Sequence, residues 1–291
     1  MHNLIKALIK PGVVVTDGSW GTQLYARGLK PGENTDIWNL THPGKVEEVA
    51  RQYVDAGSRV ILTNTFGANR FILNKFGLAD KAGEINAAGV EISKKAAEDR
   101  ASVFASIGPS GKLLLTKEVT EDDLQSAFEE QANAQAQAGA DGIIIETMTD
   151  IAEAGIAIAA AKKTGLPVIA SMVFDSGKEK DRTMMGNTPE EVVKEFAGLG
   201  VDAVGANCGQ GIEGFIPICK RMRSVTDLPI WMKPNAGLPE ILDGETVYRT
   251  TAREFAQYVP ELAQSGANFI GGCCGTNQDF IKEIKRALDS K

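Results

Sequence analysis

The chain has 291 residues, a formal net charge of −7 and 43% hydrophobic residues. That length can bury a core without disulfides or metals, and an acidic chain with no basic stripe argues against a nucleic-acid partner. No apolar run reaches the roughly 18 residues of a membrane span, the N-terminus MHNLIKALIKPGVVV lacks a signal-peptide pattern, and four cysteines suit a reducing compartment, so the expected location is the cytoplasm.

In chain order, one unit recurs: a short apolar run, a loop rich in Gly, Asn or Pro, then a helical pattern. The first run, VVVTDG from Val13, ends at Asp17-Gly18. The helix-like HPGKVEEVARQYVDAG follows, with His42 at its start and glycine at its end, a usual C-cap signal. RVILTNT from Arg59 ends at Asn64-Thr65, and SVFASIG from Ser102 makes the third run. After the helical EDDLQSAFEEQANAQAQAG, GIIIETM from Gly142 carries Glu146-Thr147 at its end. PVIASMVF from Pro167 and the helix TPEEVVKEFAGLG lead to DAVGANC from Asp202, which ends at Asn207-Cys208. PIWMKPNAG from Pro229 reaches Pro234-Asn235, and NFIGGCCG from Asn268 reaches Cys273-Cys274. Each run is β-branched and apolar on both faces, as buried parallel strands are.

Eight strands alternating with helices predict an α/β fold, a single (β/α)8 TIM barrel forming one domain over residues 1–291. The rival is an open doubly wound sheet. It lacks a glycine fingerprint after the first strand, and SIGPSG at 106–111 is too loose a match to replace it.

Barrel chemistry sits at the C-terminal strand ends. Cys208, Cys273 and Cys274 therefore share one rim. Three thiols there fit zinc, which prefers tetrahedral sulfur and nitrogen ligands and keeps one position open at catalytic sites. Gly271, Gly272 and Gly275 would permit the sharp turn that two adjacent ligands need. Three thiolates make an electron-rich site, suited to activating a substrate thiol more than to hydrolysis. A redox dithiol and plain packing are the competing readings of the trio, and Cys219, inside a helical stretch, reads as packing. His2 and His42 lie away from the strand ends, which argues against a histidine triad. Asp17 and Glu146 could act as an acid–base pair, bind an ammonium group or fasten rim backbone.

DGSWGTQL at 17–24, LTNTFGANR at 62–70, NCGQG at 207–211, KPNAG at 233–237 and GGCCGT at 271–276 together resemble the homocysteine S-methyltransferase family. The resemblance runs along nearly the whole chain. It implies a (β/α)8 barrel holding Zn²⁺ through Cys208, Cys273 and Cys274, with homocysteine as fourth ligand attacking a donor methyl group to give methionine. It implies that Asp17, Gly18, Thr65 and Glu146 hold the amino-acid end of the substrate. Asn235 would lie beside the zinc. The segment at 41–70 is most similar to the homocysteine domain of cobalamin-dependent methionine synthase. That implies methylcobalamin, carried by a separate corrinoid protein, as the donor. S-methylmethionine or betaine as donor, a corrinoid-linked demethylase, and a non-catalytic zinc-bearing docking subunit are the alternatives. Trp20, where a smaller residue or tyrosine is expected, would pack the first loop or line the donor face.

Overall fold

The computed structural model describes residues 1–242 and 245–290, so the expected domain boundary at residue 291 lies outside them, as do 243 and 244. The strands of the main sheet are β1 (Val14–Val15), β2 (Val60–Leu62), β3 (Ser102–Ile107), β4 (Gly142–Met148), β5 (Val168–Met172), β6 (Ala203–Gly211), β7 (Ile230–Asn235) and β8 (Phe269–Ile270). Their spatial order is β1-β8-β7-β6-β5-β4-β3-β2, with every neighbouring pair parallel. Thr16 bridges Val60 in parallel register, and the Arg59 N–H donates to Val15 O at 2.8 Å. These contacts join the two sheet edges and close a (β/α)8 barrel.

Helices fill the connections as the sequence pattern expects. HPGKVEEVARQYVDAG contains the helix Pro43–Asp55, EDDLQSAFEEQANAQAQAG contains Glu121–Gln137, and TPEEVVKEFAGLG contains Pro189–Gly198. The last begins with a capping box between Thr188 and Glu191 and with Pro189 in its first turn, where the missing N–H costs nothing. Strand side chains facing the helices form one large core. A second core fills the barrel interior, where Val14, Val60, Phe104, Ile169, Trp231 and Phe269 meet Ile5 and Leu8. Ile5 and Leu8 come from the helix Asn3–Ile9, which plugs the N-terminal end. This plug falls outside the repeating unit and is not foreseen from the strand pattern.

Four expected strand ends differ: β1 ends at Val15 and β2 at Leu62, short of Asp17-Gly18 and Asn64-Thr65, and β8 and β6 also depart from expectation. β8 leaves the regular ladder at Ile270, four residues before Cys274, yet Gly272 N donates to Asp17 O at 3.0 Å and Cys273 N to Pro234 O at 2.8 Å. The segment stays seated between β1 and β7 without strand geometry. β6 runs on through Cys208 to Gly211, and its register with β7 shifts between Asn207 and Gly211. After β7 the chain adds an antiparallel hairpin, Glu240–Leu242 with Glu245–Val247. No described helix is long and apolar enough to cross a membrane.

Candidate metal and substrate site

Cys208, Cys273 and Cys274 converge at the C-terminal mouth, where their Sγ atoms all lie within 4.8 Å of one another. Cys208 Sγ and Cys274 Sγ are 3.9 Å apart. That matches the edge of a tetrahedron with metal–sulfur bonds of about 2.3 Å, which is about 3.8 Å. Cys208 reaches this position because its backbone is left-handed, with φ +63°. A non-glycine residue held there carries local strain, a frequent mark of functional sites.

The glycines flanking the pair act differently from expectation. Only Gly275 needs a left-handed backbone, at φ +82°. A Cβ on Gly271 would sit 2.0 Å from Thr16 Oγ1 and 2.5 Å from Asp17 O. One on Gly272 would meet Thr276 Oγ1 at 2.4 Å. Gly271 lets the Cys273-Cys274 loop pack against the end of β1, and Gly272 lets Thr276 close back over the loop. Thr276 Oγ1 then donates to Cys273 O at 2.7 Å and accepts from Ser19 N at 3.1 Å, tying both loops together.

The electrostatics of the trio call for a cation. Hydrogen bonds from Cys273 and then Cys274 pull the Cys208 thiol far below its ordinary range. The same bonds to Cys208, with burial, push Cys273 well above it and Cys274 up to about 12. One thiolate is favoured and the next two are opposed, so full ionisation of this donor set needs a positive ion among the sulfurs. Asn235 Nδ2 also faces Cys208, while its buried Oδ1 has no hydrogen-bond partner among the described residues. A buried amide oxygen without a partner, on a residue that touches the cluster, is a polar atom that a ligand could satisfy. The residues fit a zinc ion. Tyr248, on the chain leaving the hairpin, lies close to Cys274, and its ring occupies the space over Gly275.

Beneath the sulfurs the barrel interior turns polar. Asn207 accepts from Thr147 N at 2.9 Å and Ser171 Oγ at 2.7 Å, and it donates to Thr147 Oγ1 at 2.7 Å. Ser106 Oγ donates to Glu146 Oε1 at 2.5 Å. Lys233 Nζ donates to Asp17 Oδ1. The other Asp17 oxygen accepts from Leu62 N at 2.7 Å and Trp20 Nε1 at 2.8 Å. Asp17 is wholly closed to solvent, whereas Glu146 keeps 8% of its surface. Burial pushes the Glu146 carboxyl up; Lys233 and Ser106 oppose this, and Asp17 adds to it. Burial pulls the Lys233 ammonium down, and Asp17 and Glu146 more than reverse that.

The remaining expected residues frame the site. Gly18 is required sterically, since a Cβ there would lie 2.8 Å from the Tyr53 ring and hydroxyl. Thr65 is buried; its hydroxyl donates to Ser106 O at 2.7 Å and accepts from Gln135 Nε2 at 3.1 Å. Trp20 packs against both cores as well as bonding Asp17. Cys219 is buried far along the helix Ile212–Arg223 with its thiol pushed up to about 12 by burial, as packing requires. Lys233, Ser106, Ser171 and Tyr248 were not singled out from the sequence. Lys233 had a signal there, a lysine inside an apolar strand pattern, where an unpaired charge is not tolerated.

Residues 14–288 match the family described as homocysteine S-methyltransferase. The chain belongs to that family. It is 29% identical over 297 aligned residues to methionine synthase of Mycobacterium tuberculosis, and 28% identical to methionine synthase of Mycobacterium leprae. Both alignments cover 95% of this chain but 24% of the relative, so the chain spans about a quarter of the length of these curated proteins. Among solved structures, the metallated homocysteine methyltransferase MmuM from Escherichia coli superposes with a TM-score of 0.82 at 24% identity. That match covers 98% of this chain and 99% of the other, and it shows the shared barrel.

Proposed function

We propose that this family member is a zinc-dependent methyltransferase that activates the thiol of homocysteine and methylates it to methionine. The observation that carries the reading is the three-sulfur cluster of Cys208, Cys273 and Cys274 set directly above a polar layer containing one accessible carboxylate. Zinc on these three sulfurs would leave one position for an incoming thiol and acidify it. The protein's own residues do the rest. Glu146 holds the substrate ammonium by a charge-assisted hydrogen bond. Backbone N–H groups at Gly18 and Thr65 face the carboxylate end, on loops fixed by Tyr53, Ser106 and Gln135. Asp17 serves through the frame, because its oxygens already accept from Lys233, Leu62 and Trp20. Asn235 sits beside the sulfurs with its free Oδ1. Holding both ends of the amino acid aims its sulfur outward, and such orientation lowers a barrier by about 7–11 kcal/mol in ideal cases.

The donor in this reading is a methylcorrinoid presented at the mouth of the barrel. Large apolar side chains stand exposed on the loops that leave the C-terminal strand ends: Phe66 after β2, Leu115 after β3, Met184 and Met185 after β5, and Leu238 and Ile241 after β7. Exposed apolar side chains on the loops around the mouth suit the docking of a domain that carries the donor. The test is homocysteine-dependent loss of the methylcobalamin absorbance band, with zinc-loaded and zinc-stripped protein in parallel. Zinc-dependent loss is expected. Full turnover by zinc-free protein would sink the metal reading. Turnover of S-methylmethionine or betaine, with none of methylcobalamin, would reassign the donor.

A further inference from the structure

We propose that Lys233 is a positioning residue that decides which carboxylate receives the substrate ammonium: it occupies Asp17 and so reserves a charged Glu146 for the substrate. This deepens the preceding function and rests on it. Lys233 is almost fully buried on β7, and it pairs with Asp17 at the end of β1. The Ser106 hydroxyl donates to Glu146 at 2.5 Å, and the charges of Lys233, Asp17 and Cys208 are near enough to act on it. Two carboxylates and one fixed cation thus share this layer. A second cation is needed for neutrality, and the substrate ammonium supplies it.

The consequences of removing each partner follow from counting donors. In Lys233→Met the lysine that offsets both carboxylates is gone. Asp17 keeps two N–H donors, from Leu62 and Trp20, while Glu146 keeps the Ser106 hydroxyl. Glu146 loses the cation that offset its burial and takes a proton, losing its grip on ammonium. In Asp17→Asn the opposite happens: Lys233 is released to pair with Glu146 and competes with the substrate. In the double variant Asp17→Asn/Lys233→Met both effects cancel, and Glu146 again faces the substrate alone.

The experiment is this double-mutant cycle on zinc-loaded protein, read as the KM for homocysteine and as the binding preference for homocysteine over 4-mercaptobutyrate, which lacks the amino group. Each single variant should raise KM tenfold or more with kcat nearly kept, and should lose the preference. The double variant should regain a KM within a few-fold of the parent. A double variant no better than either single one overturns the proposal, as does a single variant that loses kcat with KM unchanged. If Lys233→Met fails to fold, Asp17→Asn against the double variant still decides. Glu146→Gln is the control: if it leaves the homocysteine KM unchanged, the substrate reading itself fails, independently of Lys233.

Discussion

Cys208 Sγ and Cys274 Sγ lie 3.9 Å apart although 66 residues separate them, and the left-handed backbone of Cys208 turns its thiol towards the other two. The relationship predicts one zinc ion per chain, removable by chelators. Cys208→Ala should lose the metal and the methyl transfer together, while the fold survives, because the side chain is at the mouth and outside both cores. Metal content by emission spectroscopy and circular dichroism check this. A Cys208→Ala protein with full zinc content would contradict the three-ligand assignment.

In the proposed function, Glu146→Gln removes the charge offered to the substrate ammonium. A hydrogen bond to a charged group is worth about 1.5–3 kcal/mol, so KM for homocysteine should rise roughly 10- to 100-fold with a smaller change in kcat. Burial, the largest cause, raises the Glu146 carboxyl above its ordinary 4.5. Its charged form is present above that raised value and is lost as pH falls through it. Homocysteine affinity should therefore weaken on acidification earlier than an ordinary glutamate would allow. Steady-state kinetics against pH would show it, and the Glu146→Gln profile should be flat over the same range.

Asp36 offers a stability test away from the reaction. It is buried in the loop after β1, accepts from Gly67 N at 3.2 Å, and burial lifts its pKa to about 6 from 3.8. Between those values the folded chain binds more protons than the unfolded one. Stability from this group therefore falls as pH rises from about 4 to about 6, by up to about 3 kcal/mol, and stays low above. Asp36→Asn should flatten this slope and leave the protein no less stable at pH 7. Urea unfolding at several pH values measures it.

Gly271→Ala tests the packing of the loop that carries two sulfurs. Its Cβ would collide with Thr16 Oγ1 and with the Asp17 carbonyl, which belongs to the backbone and cannot rotate away. A loss of about 3 kcal/mol or more is expected, together with weakened zinc binding as Cys273 and Cys274 shift. The equivalent change at Gly21, which has open space around it, should cost little beyond helix propensity. Thermal melts of the two variants give the comparison.

The barrel is legible in the amino-acid sequence, because eight buried parallel strands must be apolar on both faces and each must be followed by a helix. The three sulfurs are legible there too, since cysteine at a strand end is rare enough to stand out and the C-terminal strand ends share one rim. Glu146 and Asn235 stand at strand ends in the same way and fall on that rim. What the tertiary structure decided is how the polar groups divide their partners. Asp17 and Glu146 look alike as strand-end carboxylates, yet Lys233, Leu62 and Trp20 engage one, while the other accepts from the Ser106 hydroxyl. The roles of Gly271 and Gly272 were likewise decided by an approach to Thr16, Asp17 and Thr276 that no local pattern records. Strand periodicity reports which face a residue takes, whereas ion pairing and close contact depend on distances between elements far apart in the chain.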